Sequence, residues 1–372
     1  MSRQIRPTTA HVDLERLGRN LRRVQAAVGP DTRVLAAVKG DAYGHGAVRS
    51  ALALEASGCD AFGVALVEEG KALRRAGVRG EILCLGGVGH DGAQEAVEWD
   101  LTPMVYDLEA AAQLDAAGRA RGQPVAVHLK VDTGMGRLGV PVGDWEPFLD
   151  RLANFSHLDV VGLASHLAES EAVDPTFTRE QTRRFEVALA ALHQRNWRPR
   201  WLHLANSAGA LGHPTLANGR FNMVRAGLAL FGVSPGPGLG EGLEPVMRVS
   251  TRVLFVKNIP TRYGLSYGRT WMSPRPSRIA TLPVGYADGY PRALSNRGQV
   301  VIGGHRCPIR GAVCMDMVMV DVTDVPQPVV CGDEVLLLGD DVTATDLAGW
   351  AGTIPYEILC GFSERVPRRF QD

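Results

Sequence analysis

In VLAAVKGDAYGHG, residues 34–46, an apolar run is followed directly by a lysine, and this arrangement is the strongest indication of an α/β fold in the sequence. Residues 34–38 are all apolar, which is typical of a strand buried on both faces of a parallel sheet. Lys39 follows at the carboxyl end of that strand, where α/β folds build their active sites. Burial there favours the neutral amine, the form that makes a Schiff base with an aldehyde. From this segment alone, a surface lysine at the start of a loop is an equally good interpretation.

Seven more short apolar runs follow, separated by segments with helical spacing of apolar residues. The runs cover residues 61–66, 81–87, 102–106, 125–132, 160–166, 201–207 and 221–232. Eight strand–helix repeats predict a closed parallel (β/α)8 barrel of the TIM type. An open doubly wound sheet is the alternative, but no glycine-rich dinucleotide fingerprint follows the first strand.

The pattern changes after residue 231. Residues 232–246 are rich in Gly and Pro and predict a linker. Beyond it, short strand-like runs are separated by Gly, Pro and Asp, and two helical patterns close the chain. The strand-like runs cover residues 251–259, 277–285, 299–304, 314–322 and 333–339. We therefore expect residues 13–242 to form the barrel and residues 243–372 to form a mostly β domain.

Composition narrows the classes of partner. The chain has 372 residues, 22% of them charged, and its formal net charge is zero. The sequence has no block of Lys and Arg residues, which argues against nucleic acid as a partner. No apolar run is long enough to cross a membrane. The N-terminal residues contain no apolar secretory signal. Six scattered cysteines without a CxxC pair argue against a zinc site or a disulfide framework, so we expect no metal and a cytoplasmic location.

Several polar side chains stand at the ends of the proposed strands. They are Lys39, Tyr43, Lys130, Asp132, Arg137, His166, Asn206, Ser207 and Arg225. A barrel would bring these chain-distant residues to one rim, which favours a catalytic mouth. Ser207 and the backbone of Gly227 and Leu228 are candidates for a phosphate site near the last strands. A phosphate site and a reactive lysine together suggest pyridoxal 5'-phosphate (PLP), or a sugar-phosphate aldolase that uses lysine without a cofactor.

Nine motifs, in order and over nearly the whole chain, resemble those of the alanine racemase family. They are VKGDAYGHG (38–46), HLKVDTGMGRLG (128–139), SHLAE (165–169), ANSAGAL (205–211), NMVRAGLALFG (222–232), LSYGRTW (265–271), PVGYADGYPR (283–292), GAVCMDMVMVD (311–321) and TIPYEILCGFSERVPR (353–368). The resemblance implies a fold-type III PLP enzyme that works as a head-to-tail homodimer with active sites shared between subunits. It also implies that residues 1–12 join the β domain as a strand.

The resemblance assigns two catalytic residues. Lys39 would hold PLP and then act as one acid/base, while Tyr267 of the partner subunit would act from the opposite face of the substrate. Two bases on opposite faces exchange the proton without the substrate turning over. An ordinary tyrosine has a pKa of about 10, so His166 and Arg225 would have to favour its phenolate. Without the resemblance, Tyr267 is better interpreted as a core tyrosine of the β domain.

The resemblance also implies the remaining roles. Arg225 would contact the pyridine nitrogen of PLP; because arginine stays charged, the ring would be a weaker electron sink, which suits racemisation. Arg137 would bind the PLP phenolic oxygen and the substrate carboxylate, oriented by a carbamate on Lys130. The phosphate would be bound by Tyr43, Ser207, Gly227, Leu228 and Tyr356. Met315 and Asp316 would border the partner's substrate pocket, Tyr286 and Arg292 would line the entry channel, and Asn206 would support the cofactor site.

The predicted reaction is the interconversion of L-alanine and D-alanine, which would supply D-alanine for peptidoglycan. A serine or broad-spectrum racemase is the alternative, since excluding one methylene is worth only about 1–3 kcal/mol. A fold-type III decarboxylase would use the same lysine, but Tyr267 and Arg225 speak against it. A PLP carrier protein would resemble the barrel alone, whereas this chain has a second domain with a candidate base.

Overall fold

The structure is a computed structural model that describes residues 6–217 and 219–371. These residues form two compact units. The β unit comprises residues 6–16, Tyr43–Gly46 and 244–371, and the barrel unit comprises Leu17–Ala42 and Ala47–Leu243. Residues 1–5, part of the expected N-terminal strand, lie outside the described residues.

Strands and helices alternate through the first part of the chain. In chain order they are β1 (Thr9–Asp13), α1 (Leu14–Val28), β2 (Arg33–Ala37), α2 (Lys39–Gly44), α3 (Ala47–Ala56), β3 (Ala61–Val64), α4 (Val67–Arg75), β4 (Glu81–Cys84), α5 (Ala93–Glu98), β5 (Thr102–Val105), α6 (Leu108–Arg121), β6 (Val125–Asp132), β7 (Val140–Pro141), α7 (Trp145–Leu152), β8 (Leu158–Ala164), α8 (Thr176–Gln194), β9 (Trp201–His203), α9 (Ser207–Gly212) and β10 (Met223–Ala226). Short 3-10 turns cover Val142–Asp144 and Pro214–Leu216.

Eight of these strands form one parallel sheet in the order β10-β2-β3-β4-β5-β6-β8-β9. The two ends of the sheet meet, because the N–H of Arg225 donates to the carbonyl of Ala205 at 3.0 Å and the N–H of Asn222 donates to that of Leu202 at 3.2 Å. The result is a nearly closed parallel barrel, which confirms the predicted fold class. The alternative of an open doubly wound sheet is wrong.

Apolar side chains fill part of the barrel interior. Each comes from a strand or strand end that the apolar runs predicted, and the members are Leu35, Ala61, Leu83, Met104, Ala164 and Met223. Outer helices bury one face, as Phe185 and Leu192 of α8 do, and burying each such side chain contributes about 1.5–3 kcal/mol. Helix α6 begins at a cap in which Asp107 Oδ1 accepts from the N–H of Ala110, and it ends at Gly122 in the left-handed region.

The strands are shorter than the apolar runs that predicted them. The run over 201–207 is extended only at Trp201–His203, and the run over 221–232 only at Met223–Ala226. Asn206 ends the first of these runs by capping α9, because its Oδ1 accepts from the N–H of Gly209 at 2.9 Å. The apolar residues that follow the strands in these two runs are buried in turns. Ser207, Gly227 and Leu228 therefore lie in the segments just after strand ends.

The second part of the chain is mostly β structure, as predicted. Its elements are β11 (Met247–Arg252), β12 (Phe255–Ile259), β13 (Gly264–Leu265), β14 (Trp271–Met272), β15 (Ser277–Leu282), β16 (Gln299–Ile302), β17 (His305–Pro308), β18 (Val318–Asp321), β19 (Glu334–Leu338), α10 (Ala344–Ala351), α11 (Pro355–Gly361) and β20 (Arg368–Gln371). Three 3-10 turns cover Tyr267–Arg269, Tyr286–Asp288 and Arg292–Leu294.

The β unit contains three sheets. A six-stranded sheet has the order β17-β16-β19-β11-β1-β20, a three-stranded sheet has the order β12-β15-β18, and β13 pairs with β14. Strand β1 runs antiparallel to β11, with Thr9 opposite Ser250, and parallel to β20. The predicted single strand over 251–259 is therefore wrong: β11 and β12 belong to different sheets. The predicted strand over 314–322 begins only at Val318, so residues 314–317 form a loop.

Two other features bear on the sequence predictions. Among residues 6–217 and 219–371, no helix is long and apolar enough to cross a membrane. All six cysteines of the chain are free thiols.

Candidate active site

Lys39 follows β2 and begins an unusual turn. The five residues after it, 40–44, all have positive φ angles, including the non-glycine residues Asp41, Ala42 and Tyr43. A left-handed conformation disfavours each L-residue by about 1–2 kcal/mol, and such strain is typical of functional sites. Gly44 tolerates the conformation, and a Cβ there would overlap the carbonyl of Leu359. The left-handed path of this segment was not apparent from the sequence.

A carboxylate holds the start of this turn. Glu69 accepts hydrogen bonds from the N–H of Gly40 at 2.7 Å and from the N–H of Ala65 at 2.7 Å. It therefore ties the segment after β2, which carries Lys39, to the segment after β3. Sequence reasoning missed this residue, because a glutamate in the first turn of a helix is ordinarily a favourable charge at the helix terminus.

Four cationic side chains lie near one another at the carboxyl ends of the barrel strands. They are Lys39, Lys130, Arg137 and Arg225. Burial first, and then the positive charges of Arg225 and Arg137, lower the pKa of Lys130 to about 8. The carboxylate of Asp132 acts in the opposite direction. An anionic ligand such as a phosphate or a carboxylate would relieve this repulsion.

His166 lies within this cluster as a neutral imidazole. Burial and the charges of Arg225 and Arg137 lower the pKa of His166 to about 2. Its Nδ1 is 3.0 Å from Nη2 of Arg225. Because arginine only donates, Nδ1 must accept this hydrogen bond, and the ring proton of His166 therefore lies on Nε2. The site thus offers one N–H donor of fixed position at Nε2.

Arg225 is a buried cation, only 6% exposed, whose terminal nitrogens are fully engaged. Nη1 donates to Nδ1 of His203 at 2.8 Å, and Nη2 donates to the carbonyl of Ser165 at 2.7 Å. Burial, followed by the charge of Arg137, lowers the pKa of Arg225 to about 10, so the guanidinium stays protonated at neutral pH. Its Nε–H has no acceptor among residues 6–217 and 219–371, which leaves it as a donor for a ligand.

The segments after β9 and β10 form a cradle of N–H and O–H donors. The hydroxyl oxygen of Ser207 accepts from the N–H of Gly227 at 2.9 Å and of Ala229 at 3.4 Å. The hydroxyl hydrogen of Ser207 and the N–H of Leu228 have no acceptor in the described part of the chain. Buried donors of this kind suit a phosphate group. Asn206 caps α9 and also accepts from Ser170, so it fixes the backbone of this cradle.

The predicted residues of the β unit are, in contrast, largely exposed. Tyr267 is 76% exposed, so its interpretation as a core tyrosine is wrong. It begins a tight turn, since Ser266 and Arg269 on either side have positive φ angles. Met315 is 52% exposed in the loop before β18. Asp316 in the same loop is ion-paired with Arg365 at 2.6 Å.

The other predicted residues of the β unit occupy turns and a helix end. Tyr286 and Arg292 each begin a 3-10 turn, and both are exposed. Tyr356, near the start of α11, packs its ring against that of Tyr43 with a centroid distance of 5.8 Å. Burial, and then proximity to Tyr356, raises the pKa of Tyr43, so its phenol remains protonated and can donate a hydrogen bond.

Two buried histidines in the barrel were missed from the sequence. His128 in β6 and His203 in β9 are fully buried, and Nδ1 of His128 is 2.8 Å from Nε2 of His203. The signal was present, because each histidine interrupts an apolar strand run, in VHLK and in WLHL. A buried polar side chain in such a run must find a partner inside the barrel.

These observations define the class of protein first: a parallel barrel with a lysine at a strand end, inside a cationic mouth suited to an anionic, phosphate-bearing ligand. The family model described as alanine racemase, N-terminal domain, matches residues 12–235. The model for the alanine racemase C-terminal domain matches residues 246–370. The chain therefore belongs to the alanine racemase family.

Similar proteins cover nearly the whole chain. The alanine racemase of Symbiobacterium thermophilum is 45% identical over 98% of this chain and 97% of its own length. The crystal structure of alanine racemase from a D-cycloserine-producing Streptomyces lavendulae has a TM-score of 0.93 and 35% identity, covering 99% of this chain and 98% of that one. The alanine racemase of Bartonella henselae with covalently bound pyridoxal phosphate has a TM-score of 0.89 and 30% identity, covering 98% and 99%.

Proposed function

We propose that this protein is a PLP-dependent racemase that interconverts L-alanine and D-alanine by a two-base mechanism. The observation that carries the proposal is the position of Lys39 among Lys130, Arg137 and Arg225 at the carboxyl ends of the barrel strands. Membership of the alanine racemase family supports both the reaction and the substrate.

The proposed cofactor withdraws electrons from the substrate, which acidifies the hydrogen on Cα. Lys39 would hold the cofactor and then accept or return that proton on one face. The neutral amine of Lys39 would be the form that acts as a base and a nucleophile. The strained turn over residues 40–44, with Gly40 held by Glu69, would fix where the Lys39 side chain starts.

Tyr267 would act on the opposite face of Cα, from the partner subunit. As an exposed side chain on a tight turn, it is suited to enter a neighbouring subunit's site. His166 would assist it, because an N–H fixed at Nε2 stabilises a phenolate oxygen better than a phenol. Two bases on opposite faces account for racemisation without any rotation of the bound substrate.

Arg225 would donate from Nε to the pyridine nitrogen of the cofactor. A charged donor there disfavours protonation of the ring, so the cofactor withdraws fewer electrons and the proton returns quickly to Cα. This supports racemisation over transamination or decarboxylation. The buried position of Arg225 and its engaged terminal nitrogens leave Nε as the donor for this contact.

Arg137 would bind the cofactor's phenolic oxygen and the substrate carboxylate. Lys130 would carry a carbamate that orients it. Carbamates form on neutral amines, and the pKa of about 8 makes a neutral amine accessible to Lys130 near physiological pH. A carbamate would also replace one of four crowded cations with an anion, which removes the repulsion of Arg137.

The proposed phosphate site consists of Ser207, Gly227 and Leu228, together with the tyrosines 43 and 356. Asn206 supports it by capping α9. Met315 and Asp316 would contribute to the partner's substrate pocket, while Tyr286 and Arg292 would line the entry channel. The exposure of Tyr267 and Met315 supports a homodimer with shared active sites, since large apolar side chains on a surface mark an interaction site.

We also propose which residues form each of the two domains. Residues 13–242 would form the cofactor-binding barrel, and residues 243–372, joined by residues 1–12, the domain that supplies Tyr267. The product D-alanine would supply peptidoglycan synthesis. The cytoplasmic location rests on the scattered cysteines and stays a prediction.

Chiral chromatography of the PLP-loaded protein tests the function. The enzyme is given equal amounts of separate L-amino acids, and a Lys39→Ala preparation serves as the control for contaminating racemases. We expect L-alanine to racemise fastest and D-alanine to reach the same mixture. If serine, lysine or arginine racemises while alanine does not, the substrate assignment is wrong. Loss of carbon dioxide without a D-isomer would indicate a decarboxylase instead.

A further inference from the structure

A chain of buried polar side chains crosses the barrel from its mouth to the opposite end. Nη1 of Arg225 contacts Nδ1 of His203, Nε2 of His203 contacts Nδ1 of His128, and both distances are 2.8 Å. Nε2 of His128 lies 3.7 Å from Oε1 of Glu81, the first residue of β4. Glu81 in turn is hydrogen-bonded and ion-paired to Arg33, the first residue of β2.

The chemistry of arginine sets the direction of every bond in this chain. Arg225 has donors only, so Nδ1 of His203 must accept and the proton of that ring lies on Nε2. That N–H then donates to Nδ1 of His128, whose proton must also lie on Nε2. The proton on Nε2 of His128 is therefore on the nitrogen that lies 3.7 Å from Oε1 of the Glu81 carboxylate, which has no proton of its own to donate. All donors therefore run from the mouth of the barrel to one carboxylate.

The charges along the chain agree with this direction. Burial, and then the charge of Arg225, lowers the pKa of His203 well below its usual value. Burial also lowers the pKa of His128, so both rings are neutral. Although its own burial acts in the opposite direction, His128 and Arg33 lower the pKa of Glu81 to about 2. The chain thus ends in an anion.

The barrel is built around the two rings. A Cβ at Gly162 of β8 would overlap the ring of His128, so only glycine leaves space for it there. The rings of His128 and His203 pack edge to face at 4.9 Å. His128 is fully buried, and its Nε2 makes no hydrogen bond among the described residues; the carboxylate of Glu81, with Oε1 at 3.7 Å, interacts with it electrostatically. A buried donor without an acceptor costs about 1–3 kcal/mol.

We propose that Glu81 and His128 are positioning residues for Arg225: through His203 they fix the orientation of its guanidinium and so direct Nε–H at the ring nitrogen of the cofactor. Without the negative charge of Glu81 beside Nε2, His128 can place its proton on Nδ1, facing the N–H of His203. That contact forces His203 to turn its own proton towards the donor of Arg225, and the guanidinium loses its anchor. The role for Arg225 rests on the proposed function, whereas the order of the two histidines does not.

The test compares four full-length variants with the wild type. Glu81→Met removes the acceptor, and Glu81→Gln keeps one acceptor oxygen. Asp60→Asn is the matched control, because Asp60 is the other carboxylate paired with Arg33 at the same end of the barrel and has no contact with His128. Gly162→Ala displaces the His128 ring while it leaves Glu81 and Arg33 intact, so it replaces Glu81→Met if that variant does not fold.

Long-range proton–nitrogen NMR of histidine-labelled protein, with and without PLP, gives the first readout. We expect the wild type and Asp60→Asn to have both buried histidines protonated at Nε2, and Glu81→Met to lose this order. We also expect kcat for alanine to fall about tenfold in Glu81→Met with KM within about twofold, the loss of one interaction between a charged group and a buried N–H. Glu81→Gln should recover most of the loss, and pyruvate released per racemisation should rise only in Glu81→Met and Gly162→Ala.

The outcomes separate the two levels of the proposal. If the tautomers in Glu81→Met equal those of the wild type, or if Asp60→Asn loses as much activity, Glu81 is not a positioning residue. If the wild type racemises no amino acid but the tautomers change in Glu81→Met, the proposed function is wrong. The inference that Glu81 orders the tautomers of His128 and His203 is then still supported. If the tautomers respond but kcat and pyruvate release do not, the chain does not position Arg225.

Discussion

The two units of the molecule carry their predicted functional side chains in opposite ways. In the barrel unit, Lys130 and Arg225 are buried, and Arg225 is held by several hydrogen bonds. In the β unit, Tyr267 is 76% exposed and Met315 is 52% exposed. A buried, interlocked set keeps its geometry without a partner, whereas exposed side chains on turns need another surface to fix them. We refer to these two sets as the barrel half and the exposed β half of the proposed site; the exposed half is the one that would need a second surface.

The largest expected effect comes from the barrel half. Lys39→Ala should reduce racemisation by about 10⁴-fold or more, because in the proposed mechanism this one residue would hold the cofactor and also act as an acid/base. The loss should appear in initial rates of D-alanine formation from saturating L-alanine. The protein should also lose the yellow colour of the wild type after dialysis. Full activity in Lys39→Ala would contradict both roles at once.

Tyr267→Phe tests the exposed half and should lower kcat by about 10²–10⁴-fold, the usual worth of a positioned acid or base. The barrel half is untouched, so cofactor binding should stay within about twofold of the wild type. Absorbance titration with PLP and chiral product analysis measure the two quantities separately. A variant that keeps full activity in both directions would remove Tyr267 from the mechanism.

Mixing the two variants examines whether the halves come from different subunits. After exchange of equal amounts of Lys39→Ala and Tyr267→Phe protein, half of the dimers are mixed, and each contains one intact site. Activity should then rise to about a quarter of the wild-type value. Each variant mixed with itself is the control. Activity no higher than the sum of the parents would show that each subunit uses its own tyrosine.

The sequence predicted the barrel half of the site better than the β half, and the reason is physical. Residues such as Lys39 and Arg225 follow or end apolar strand runs, and a parallel barrel brings all strand ends to one rim. Residues such as Tyr267 and Met315 lie in turns between short strands, where no periodicity indicates which way a side chain points. Only the motif resemblance drew attention to them.

Other features escaped the sequence because they depend on contacts between distant strands. The division of residues 251–259 between two sheets depends on which strands pair with β11 and β12, and no local pattern encodes those partners. The left-handed path of residues 40–44 is unfavourable for three of its residues taken alone. The line of His128, His203 and Glu81 appears only when β6, β9 and β4 are closed into a barrel.

A moderate effect is expected from Lys130, which lies near three other cationic side chains in the barrel unit. Removal of bicarbonate should lower wild-type kcat by about tenfold, the worth of one hydrogen bond to a charged group. Because the pKa of Lys130 is lowered to about 8, its neutral fraction rises between pH 7 and pH 9. Labelled bicarbonate should therefore produce more carbamate signal at pH 9.

The matched variant for this experiment is Lys130→Met, which keeps the length of the side chain but cannot form a carbamate. It should have low activity that does not respond to bicarbonate. A wild-type enzyme that is fully active and free of carbamate at both pH values would contradict the role of Lys130. It would also leave the repulsion of Arg137 to be relieved by the cofactor alone.

The smallest expected effect is on the free energy of unfolding rather than on turnover, and it tests how much Glu81 stabilises the barrel unit. The pKa of Glu81 is lowered to about 2, against an ordinary value of 4.5. A carboxylate with a depressed pKa stabilises the folded state above its unfolded pKa and loses this effect as the pH falls towards its folded pKa. For Glu81 this amounts to about 2–3 kcal/mol at neutral pH, lost between about pH 4.5 and pH 2.

Glu81→Gln should therefore lower the urea midpoint at pH 7, and the gap to the wild type should narrow as the pH falls to 3.5. Asp60→Asn should give a smaller gap at pH 7, since the partner that it removes is 71% exposed and surface ion pairs contribute about 0–1 kcal/mol. A gap that stays constant with pH would mean that Glu81 has no depressed pKa. The carboxylate would then still be ionised at pH 7, but its contacts with Arg33 and His128 would add nothing to the stability of the folded state.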